Sequence, residues 1–405
     1  MTQHRGMVIV GAGECGARAA FALRENGYSG PIDVLGEEEH RPYERPPLSK
    51  GRPGGAVPLK EIATQAQWDS AEISLSLGTK VTEVDRADRV VRLADGRIMH
   101  YDKLLFATGA RARRLPLATT APVATLRTMS DAQHISSIAV PGSHVAIIGA
   151  GLIGLELAAR LRAGDVDVTI IEVSSAALGR AVPPELAARL VQRHRNEGVR
   201  FEFDAEITAI TDRTIALLDG SQFTADLIVA AIGAEPETGL AEQAGLEVRN
   251  GITVNVTLAT SDQNIFAAGD CCNFPSPRTG APVRLESWRN ALDQGEHAAA
   301  NMLGASREYQ KTPWFWSEQY DLTLQVAGLP QPGRPFVRRE PGSGATLLFQ
   351  FDDDGRLVSA SGLGPSGSVA KEIRIAEMLI ERGARPDPRL LADAQSNLKK
   401  LLRTG

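Results

Sequence analysis

The 405-residue chain contains only three cysteines, and they form no CxxC or CxxxxC pair. Cys271 and Cys272 are adjacent, so their Cα atoms stand about 3.8 Å apart, below the usual disulfide range. Cys15 is remote in sequence. Paired-thiol redox chemistry and zinc binding therefore lack their normal spacing, and three reduced thiols are expected. Basic charge is also short. A net charge of −5 argues against a general nucleic-acid binder, which carries a strongly basic face. Long apolar runs are missing too, since the most apolar segment, 145–159, is interrupted by glycines and by Glu156. The opening MTQHRG runs into Met7–Val10 without the pattern of a secretory leader. These absences lead us to expect a soluble, cytoplasmic protein with no membrane and no nucleic-acid partner. Aromatics are sparse at 5%, yet 43% hydrophobic and 23% charged residues exclude disorder and a collagen-like chain. At about 150 residues per domain, the length allows two or three domains.

Glycine is plentiful, with 39 residues, and its placement is informative. The run MVIVGAGECGARAAFALRENG reads as a strand, a glycine turn and a helix over 17–25, and HVAIIGAGLIGLELAARLR at 144–162 repeats the order. Each is followed by a strand-like run ending in an acid, 32–35 before Glu37 and 168–171 before Glu172. This is the βαβ unit of a dinucleotide-binding sheet, present twice. The runs YDKLLFATGA (101–110), holding Thr108 and Gly109, and ADLIVAAIGAEP (225–236), holding Gly233, close the two halves. Alternating segments at 79–84 and 201–210 read as antiparallel strands beside the parallel sheets, and NIFAAGD (264–270) and a helix over 287–303 follow. From about residue 320 the pattern becomes α+β: strands LTLQVAG, ATLLFQFD and LVSASG, a loop at 329–335, and amphipathic helices over 369–382 and 390–402.

Gly11, Gly13 and Gly16 form GxGxxG between strand and helix. The first glycine turns the chain, the second lets backbone approach a pyrophosphate, and the third lets helix close on strand, leaving free amides toward the phosphates. Glu37 is placed to accept the hydroxyls of an adenosine ribose. Gly149, Gly151 and Gly154 repeat this around Leu152 and Ile153, with Glu172 as the acid. A carboxylate there favours a free 2′-hydroxyl over a 2′-phosphate; a charge-assisted hydrogen bond of about 1.5–3 kcal/mol corresponds to roughly 10- to 150-fold. NADH is favoured over NADPH, although nearby Arg180 could hold a 2′-phosphate as well as a pyrophosphate. Two dinucleotide sites in one chain point to one flavin and one nicotinamide. Asp270 reads as a ligand for a ribityl hydroxyl, with a helix N-cap as the alternative.

GAGECG, RPYERPPLSK (41–50), ATGA, GAGLIGLE, AAGD and ESWRNALDQGEHAA together resemble the NADH-dependent ferredoxin reductases of oxygenase systems, FAD flavoproteins with two glutathione-reductase-like dinucleotide domains. The likeness spans nearly the whole chain. It implies an α/β fold of two Rossmann-like domains plus a C-terminal α+β domain: FAD-binding over 1–110 and 235–318, NADH-binding over 111–234, and C-terminal over 319–405. It implies that Gly11, Gly13, Cys15 and Gly16 line the FAD pyrophosphate, with Glu37 at the ribose and Val81 at the adenine. Arg45, Lys50, Thr108, Gly109, Arg127, Asp270, Trp288 and Trp316 would complete that site. Gly149, Gly151, Leu152, Ile153, Gly154, Glu172, Arg180 and Gly233 would hold NADH.

The same likeness pairs Lys50 with Glu156 as the catalytic pair beside the flavin, where a cation favours the anionic reduced ring; a surface salt bridge is the alternative. Trp288 and Trp316 are read either as flavin contacts or as core packing. Disulfide reductases of this superfamily carry a redox cysteine motif where residues 38–50 have none. Electrons would leave the flavin directly, one at a time, to a [2Fe-2S] ferredoxin feeding a haem-thiolate monooxygenase or a ring-hydroxylating dioxygenase. Arg289, Lys311, Arg338 and Arg339 are candidates for a basic docking face, and the chain is expected to be a monomer or weak homodimer. The rival activities are rubredoxin reductase and NADH oxidase; the rival from another class is an apoptosis-inducing-factor-like NAD-binding protein.

Overall fold

The computed structural model describes residues 5–50, 57, 59–117, 119, 121–179 and 181–403. The chain divides into two compact units, one of Met1–Arg45, Leu59–Arg111 and Ala234–Lys311, the other of Pro46–Pro58, Ala112–Gly233 and Thr312–Gly405.

In the first unit the strand Gly6–Val10 is buried at every position, because it lies between two parallel neighbours, Ile32–Leu35 and Ile98–Phe106. The sheet continues to Ser74–Ser76 on one side, to the antiparallel Val90–Leu93 and Val81–Asp85 on the other, and takes Ile265–Ala267 in parallel on Ile98–Phe106. Helices Glu14–Glu25 and Trp288–Met302 pack together in this unit. A side chain at Gly295 would collide with the Cys15 carbonyl oxygen, so that glycine sets how closely the second helix approaches the first.

The second unit repeats the arrangement. His144–Ile148 lies between Asp167–Ile171 and Leu227–Ala230, with Arg200–Glu202 and Ala124–Thr125 at the edges, all parallel. The expected alternating run over 201–210 is two strands, Arg200–Glu202 in this sheet and Ile207–Thr211 in an antiparallel three-stranded sheet. The break falls at Asp204, whose φ of 53° no regular strand accommodates.

The C-terminal part of this unit is a five-stranded antiparallel sheet in the order Trp314–Gln319, Leu322–Gly328, Leu357–Pro365, Ala345–Phe351, Val337–Gly342. Period-two alternation divides its apolar residues. Leu347 and Phe349 join a core with Ile373, Ala376 and Leu379 of helix Ala370–Glu381, whereas Leu348 joins the core that includes Leu155 and Val168. The helix expected over 390–402 is instead a short helix, Pro388–Ala392, and a 3₁₀ turn, Leu398–Arg403. The reason is Arg339, only 3% exposed, whose guanidinium takes the carbonyls of Leu391, Asp393, Ala394 and Ser396 and the Glu372 carboxylate. Carbonyls turned toward that guanidinium do not serve a continuous helix.

No helix among the described residues is long and apolar enough to cross a membrane.

Candidate functional site

The two glycine turns are built alike. The Gly11 amide donates to Leu35 O at 2.8 Å and the Gly149 amide to Ile171 O at 2.8 Å, which bends each chain off its strand. Both first glycines have positive φ, 114° and 106°. A side chain at Gly11 would strike the Ala107 carbonyl oxygen, and one at Gly16 the Gly11 carbonyl oxygen; Gly149 and Gly154 meet Ala231 and Gly149 in the same way. The middle glycines differ. Gly13 has no atom within 4 Å of a would-be Cβ, and Gly151 has only Ala231 O, at 3.9 Å. Each caps the helix that follows without any side-chain hydrogen bond, so the first-turn amides of Glu14–Glu25 and Leu152–Arg162 face that space without a side-chain acceptor. Open backbone, free amides and a helix dipole fit a pyrophosphate.

The acids after the second strands are not equivalent. Glu37 is 71% exposed and pairs with Lys80 at 3.1 Å. Glu172 accepts the amides of Ala150 at 2.7 Å and Ser174 at 2.9 Å, so it braces its own glycine turn. One further lone pair on each oxygen stays available to a ribose.

Other expected flavin residues lie in the first unit. Arg45 bonds Glu38 at 2.8 Å, Val81 is buried at the start of its strand, and Thr108 donates to Glu237 O at 2.6 Å while the Gly109 carbonyl accepts the Glu237 amide at 2.9 Å. Asp270 lies within a 3₁₀ turn, Gly269–Cys271; the N-cap of the long helix is Ser287, accepting the Asn290 amide. Trp288, the first residue of that helix, acts on the Glu14 carboxylate, and Cys15 is buried against Gly269. All three thiols are free and buried, and burial pushes their pKa values up, which keeps them unreactive.

Lys50, Arg127, Glu156 and Trp316 belong to the second unit, and three of them meet. Glu156 projects from helix Leu152–Arg162 and is 5% exposed. Its Oε1 accepts the Ser317 hydroxyl at 2.6 Å and its Oε2 accepts the Ser49 hydroxyl. Lys50 Nζ stands 3.7 Å from Oε1, 3.8 Å from Glu318 and 4.7 Å from the centre of the Trp316 ring. Burial drives the Glu156 pKa up, opposed by Lys50 and the two hydroxyls. The pair is therefore buried on its acidic side, not a surface salt bridge. Trp316 stacks on Trp314 at 5.4 Å and forms a wall for the ammonium. Arg127 contributes its amide to Asp131, in the N-terminal cap of helix Met129–Ile138. Leu152 and Ile153 open the helix that carries Glu156, and Gly233, with φ of 107°, ends the strand connection where its carbonyl accepts the Arg113 amide. Arg180 lies outside the described residues.

Three residues of this cluster escaped the sequence reading. Ser49 and Ser317 are remote from Glu156 in sequence, and nothing local marks them. Arg160, one turn beyond Glu156, is 5% exposed and donates to Leu48 O at 3.0 Å and Ser136 Oγ at 2.6 Å. The i, i+4 spacing puts Glu156 and Arg160 on one face of the helix but does not reveal these partners. Together they fasten the 3₁₀ turn Pro46–Ser49, and with it Lys50, to the helix.

The docking candidates fare differently. Arg339 is buried and structural, Arg338 bonds Glu185 and Glu340, Arg289 bonds Asp293 at 2.9 Å, and Lys311 is exposed. Arg339 is thereby removed from any docking face, because its charge is spent on Glu372 and the C-terminal carbonyls.

Residues 5–295 match the family described as pyridine nucleotide-disulphide oxidoreductase, and residues 314–402 the reductase C-terminal family. The ferredoxin–NAD(+) reductase component of the anthranilate 1,2-dioxygenase system of Burkholderia cepacia is 39% identical over 404 residues, covering 98% of each chain. Rhodocoxin reductase of Rhodococcus erythropolis is 38% identical over 85% of this chain and 83% of its own. Among solved structures, the reductase chain matched in the covalent putidaredoxin reductase–putidaredoxin complex superposes with a TM-score of 0.92 at 31% identity, covering 100% of this chain and 99% of that one. With family matches over both its parts and relatives this similar along its length, the chain belongs to the pyridine nucleotide-disulphide oxidoreductase family.

Proposed function

We propose that the chain is an FAD-dependent NADH:ferredoxin oxidoreductase, taking a hydride from NADH and delivering single electrons to a [2Fe-2S] ferredoxin. The observation that carries this reading is the pair of glycine turns, each with an open middle glycine and a helix start without a side-chain cap, in a chain whose thiols are all buried and unpaired. When bound, FAD supplies the conversion between two-electron and one-electron chemistry.

The residues divide the work. Gly11, Gly13, Cys15 and Gly16 receive the FAD pyrophosphate, Glu37 its ribose, Val81 its adenine and Asp270 its ribityl chain, with Arg45, Thr108, Gly109, Arg127, Trp288 and Trp316 completing the site. Gly149, Gly151, Leu152, Ile153, Gly154 and Gly233 receive NADH, and Glu172 selects it over NADPH by repelling a 2′-phosphate. Lys50 supplies a positive charge at the reacting ring, and Glu156 holds that charge in place through Ser49 and Ser317. The division into FAD-binding 1–110 with 235–318, NADH-binding 111–234 and C-terminal 319–405 parts belongs to this reading, as do a cytoplasmic location, a monomer or weak homodimer, and an oxygenase as the ferredoxin's own acceptor. The name of the Burkholderia cepacia relative, a reductase component of a dioxygenase system, supports it.

Oxygen uptake provides the test. The flavin-loaded protein with NADH in air should consume oxygen slowly, and added [2Fe-2S] ferredoxin with cytochrome c as final acceptor should raise NADH oxidation at least tenfold. Fast oxygen consumption that ferredoxin leaves unchanged would make it an oxidase instead.

A further inference from the structure

Behind Glu156 the second unit holds a row of buried polar side chains that the glycine turns do not explain. Ser317 Oγ lies 2.6 Å from Glu156, Gln319 Nε2 lies 3.0 Å from Ser317 Oγ, His194 Nε2 lies 2.9 Å from Gln319 Oε1, and the Tyr320 hydroxyl lies 3.1 Å from His194 Nδ1. His194, Gln319 and Ser317 are each at most 1% exposed.

The directions of these bonds follow from the chemistry of each group. The single Ser317 proton goes to the carboxylate, so Ser317 must accept from Gln319, which turns the amide nitrogen toward it. Gln319 Oε1 then faces His194 and only accepts, so the imidazole proton sits on Nε2. A neutral ring leaves Nδ1 bare, and Tyr320 donates to it. Burial supports each state: it holds the His194 pKa down to about 4 and pushes the Tyr320 phenol up, so the ring is neutral and the phenol protonated. All four bonds therefore run one way, toward Glu156.

Tyr320 is held in this arrangement against backbone preference. It has φ of 56°, in the two-residue turn between Trp314–Gln319 and Leu322–Gly328, a place glycine or asparagine usually takes. Its ring meets His194 edge-on at 4.9 Å and carries Arg193 at 4.7 Å over its face. The charged groups acting on Glu156 are Lys50 and Glu318, and those acting on His194 are Arg193 and Glu197.

We propose that Tyr320, His194, Gln319 and Ser317 form a one-way chain of hydrogen-bond donors that positions Glu156 and keeps it ionised beside Lys50. This rests on the reading of Lys50 and Glu156 as the charged pair of the hydride step. A proton on Glu156 aimed at Ser317 would either leave the Ser317 proton without its acceptor or require the chain to reverse, with an amide flip and a change of imidazole tautomer inside a closed core. Each bond also polarises the next, so the terminal hydroxyl is a stronger donor than an isolated serine. The four residues are positioning residues; none is required to touch substrate.

The test is the titration of the Glu156 carboxyl carbon by NMR in the flavin-loaded protein without NADH, assigned by its loss in Glu156→Gln. Ser317→Ala, which removes a direct donor, should raise the apparent pKa by about half a unit to one unit, and Gln319→Leu and His194→Leu, which remove donors further back, by less than that and in that order. Tyr320→Phe, the mildest change, should raise it by about a few tenths, because only the outermost donor is lost. His194→Gln, which restores an Nε donor, should return it toward the wild-type value. The pH profile of flavin reduction by NADH should shift in the same direction. Folded Tyr320→Phe and His194→Leu proteins that both titrate like wild type would overturn the chain. An unchanged rate of flavin reduction in Glu156→Gln would overturn the underlying pair instead, even where the titration shifts.

Discussion

Lys50 and Glu156 form an ion pair without a hydrogen bond: the ammonium stands 3.7 Å from Oε1, while the hydrogen bonds to the carboxylate come from Ser317 and Ser49. The carboxylate is buried and the ammonium is 20% exposed, so Glu156 is fixed first and Lys50 is held by its field. Among the described residues no acceptor lies within hydrogen-bond reach of Nζ. Lys50→Met should slow anaerobic flavin reduction by NADH about tenfold or more, the scale on which a preorganised charge acts. The double variant Lys50→Met/Glu156→Gln should be no slower than the single one, since the two groups act as a unit. Lys50→Met should also lower Tm more than the double variant does, because it leaves the buried carboxylate without its cation. Stopped-flow rates and thermal melts of the three proteins check this, and additive rate losses would count against a coupled pair.

The buried imidazole of His194 sets an acid limit on stability. Its pKa falls from 6.5 to about 4 on burial. The unfolded chain therefore binds a proton that the folded chain refuses between about pH 6.5 and pH 4, and stability falls as pH drops through that window. The loss from this one group is about 3 kcal/mol, at about 1.4 kcal/mol per unit. Denaturant midpoints at pH 7 and pH 4.5 should differ less in His194→Gln than in wild type. Equal differences would show that other groups govern the acid range.

Glu172 combines two roles that one substitution can separate. Glu172→Gln keeps an oxygen to accept the Ala150 amide but removes the charge that repels a 2′-phosphate. The ratio of kcat/KM for NADH to that for NADPH should fall about tenfold or more, matching the value of one charge-assisted bond. A ratio that stays at the wild-type level would move cofactor selection away from this carboxylate.

The thiols provide a negative prediction with physical content. Burial raises the pKa of Cys15, Cys271 and Cys272, and the thiolate is the reactive form. Iodoacetamide should label none of them in the native protein, and Cys271→Ala/Cys272→Ala should retain ferredoxin reduction within about twofold, because no thiol relay operates. Loss of electron transfer with flavin still bound would contradict this.

The sequence made the two glycine turns legible because their constraints are local. Gly16 and Gly154 meet the carbonyls of Gly11 and Gly149 at the start of the same turn, and Gly11 and Gly149 have positive φ, so a fixed spacing suffices. The helix expected over 287–303 is found as Trp288–Met302. The contacts that fix Glu156 are different in kind. Ser49 and Ser317 are separated from it by 107 and 161 residues, and His194 from Gln319 by 125, so only folding brings them together. The break at residues 393–397 was hidden for the same reason: the helical pattern of 390–402 is sound locally, and a guanidinium from Arg339 overrides it. A docking role for Arg339 failed because composition counts a charge without its burial.

Electrons that leave this chain singly and without a thiol intermediate fix the ratio of ferredoxin reduced to NADH consumed. The most direct measurement is an anaerobic titration of the flavin-loaded protein with NADH in the presence of excess oxidised [2Fe-2S] ferredoxin, run in parallel on wild type and on Cys271→Ala/Cys272→Ala. Two ferredoxins should be reduced for each NADH consumed, in both proteins. NADH consumption with the ferredoxin left oxidised, or two-for-one reduction lost in the cysteine variant, would contradict it.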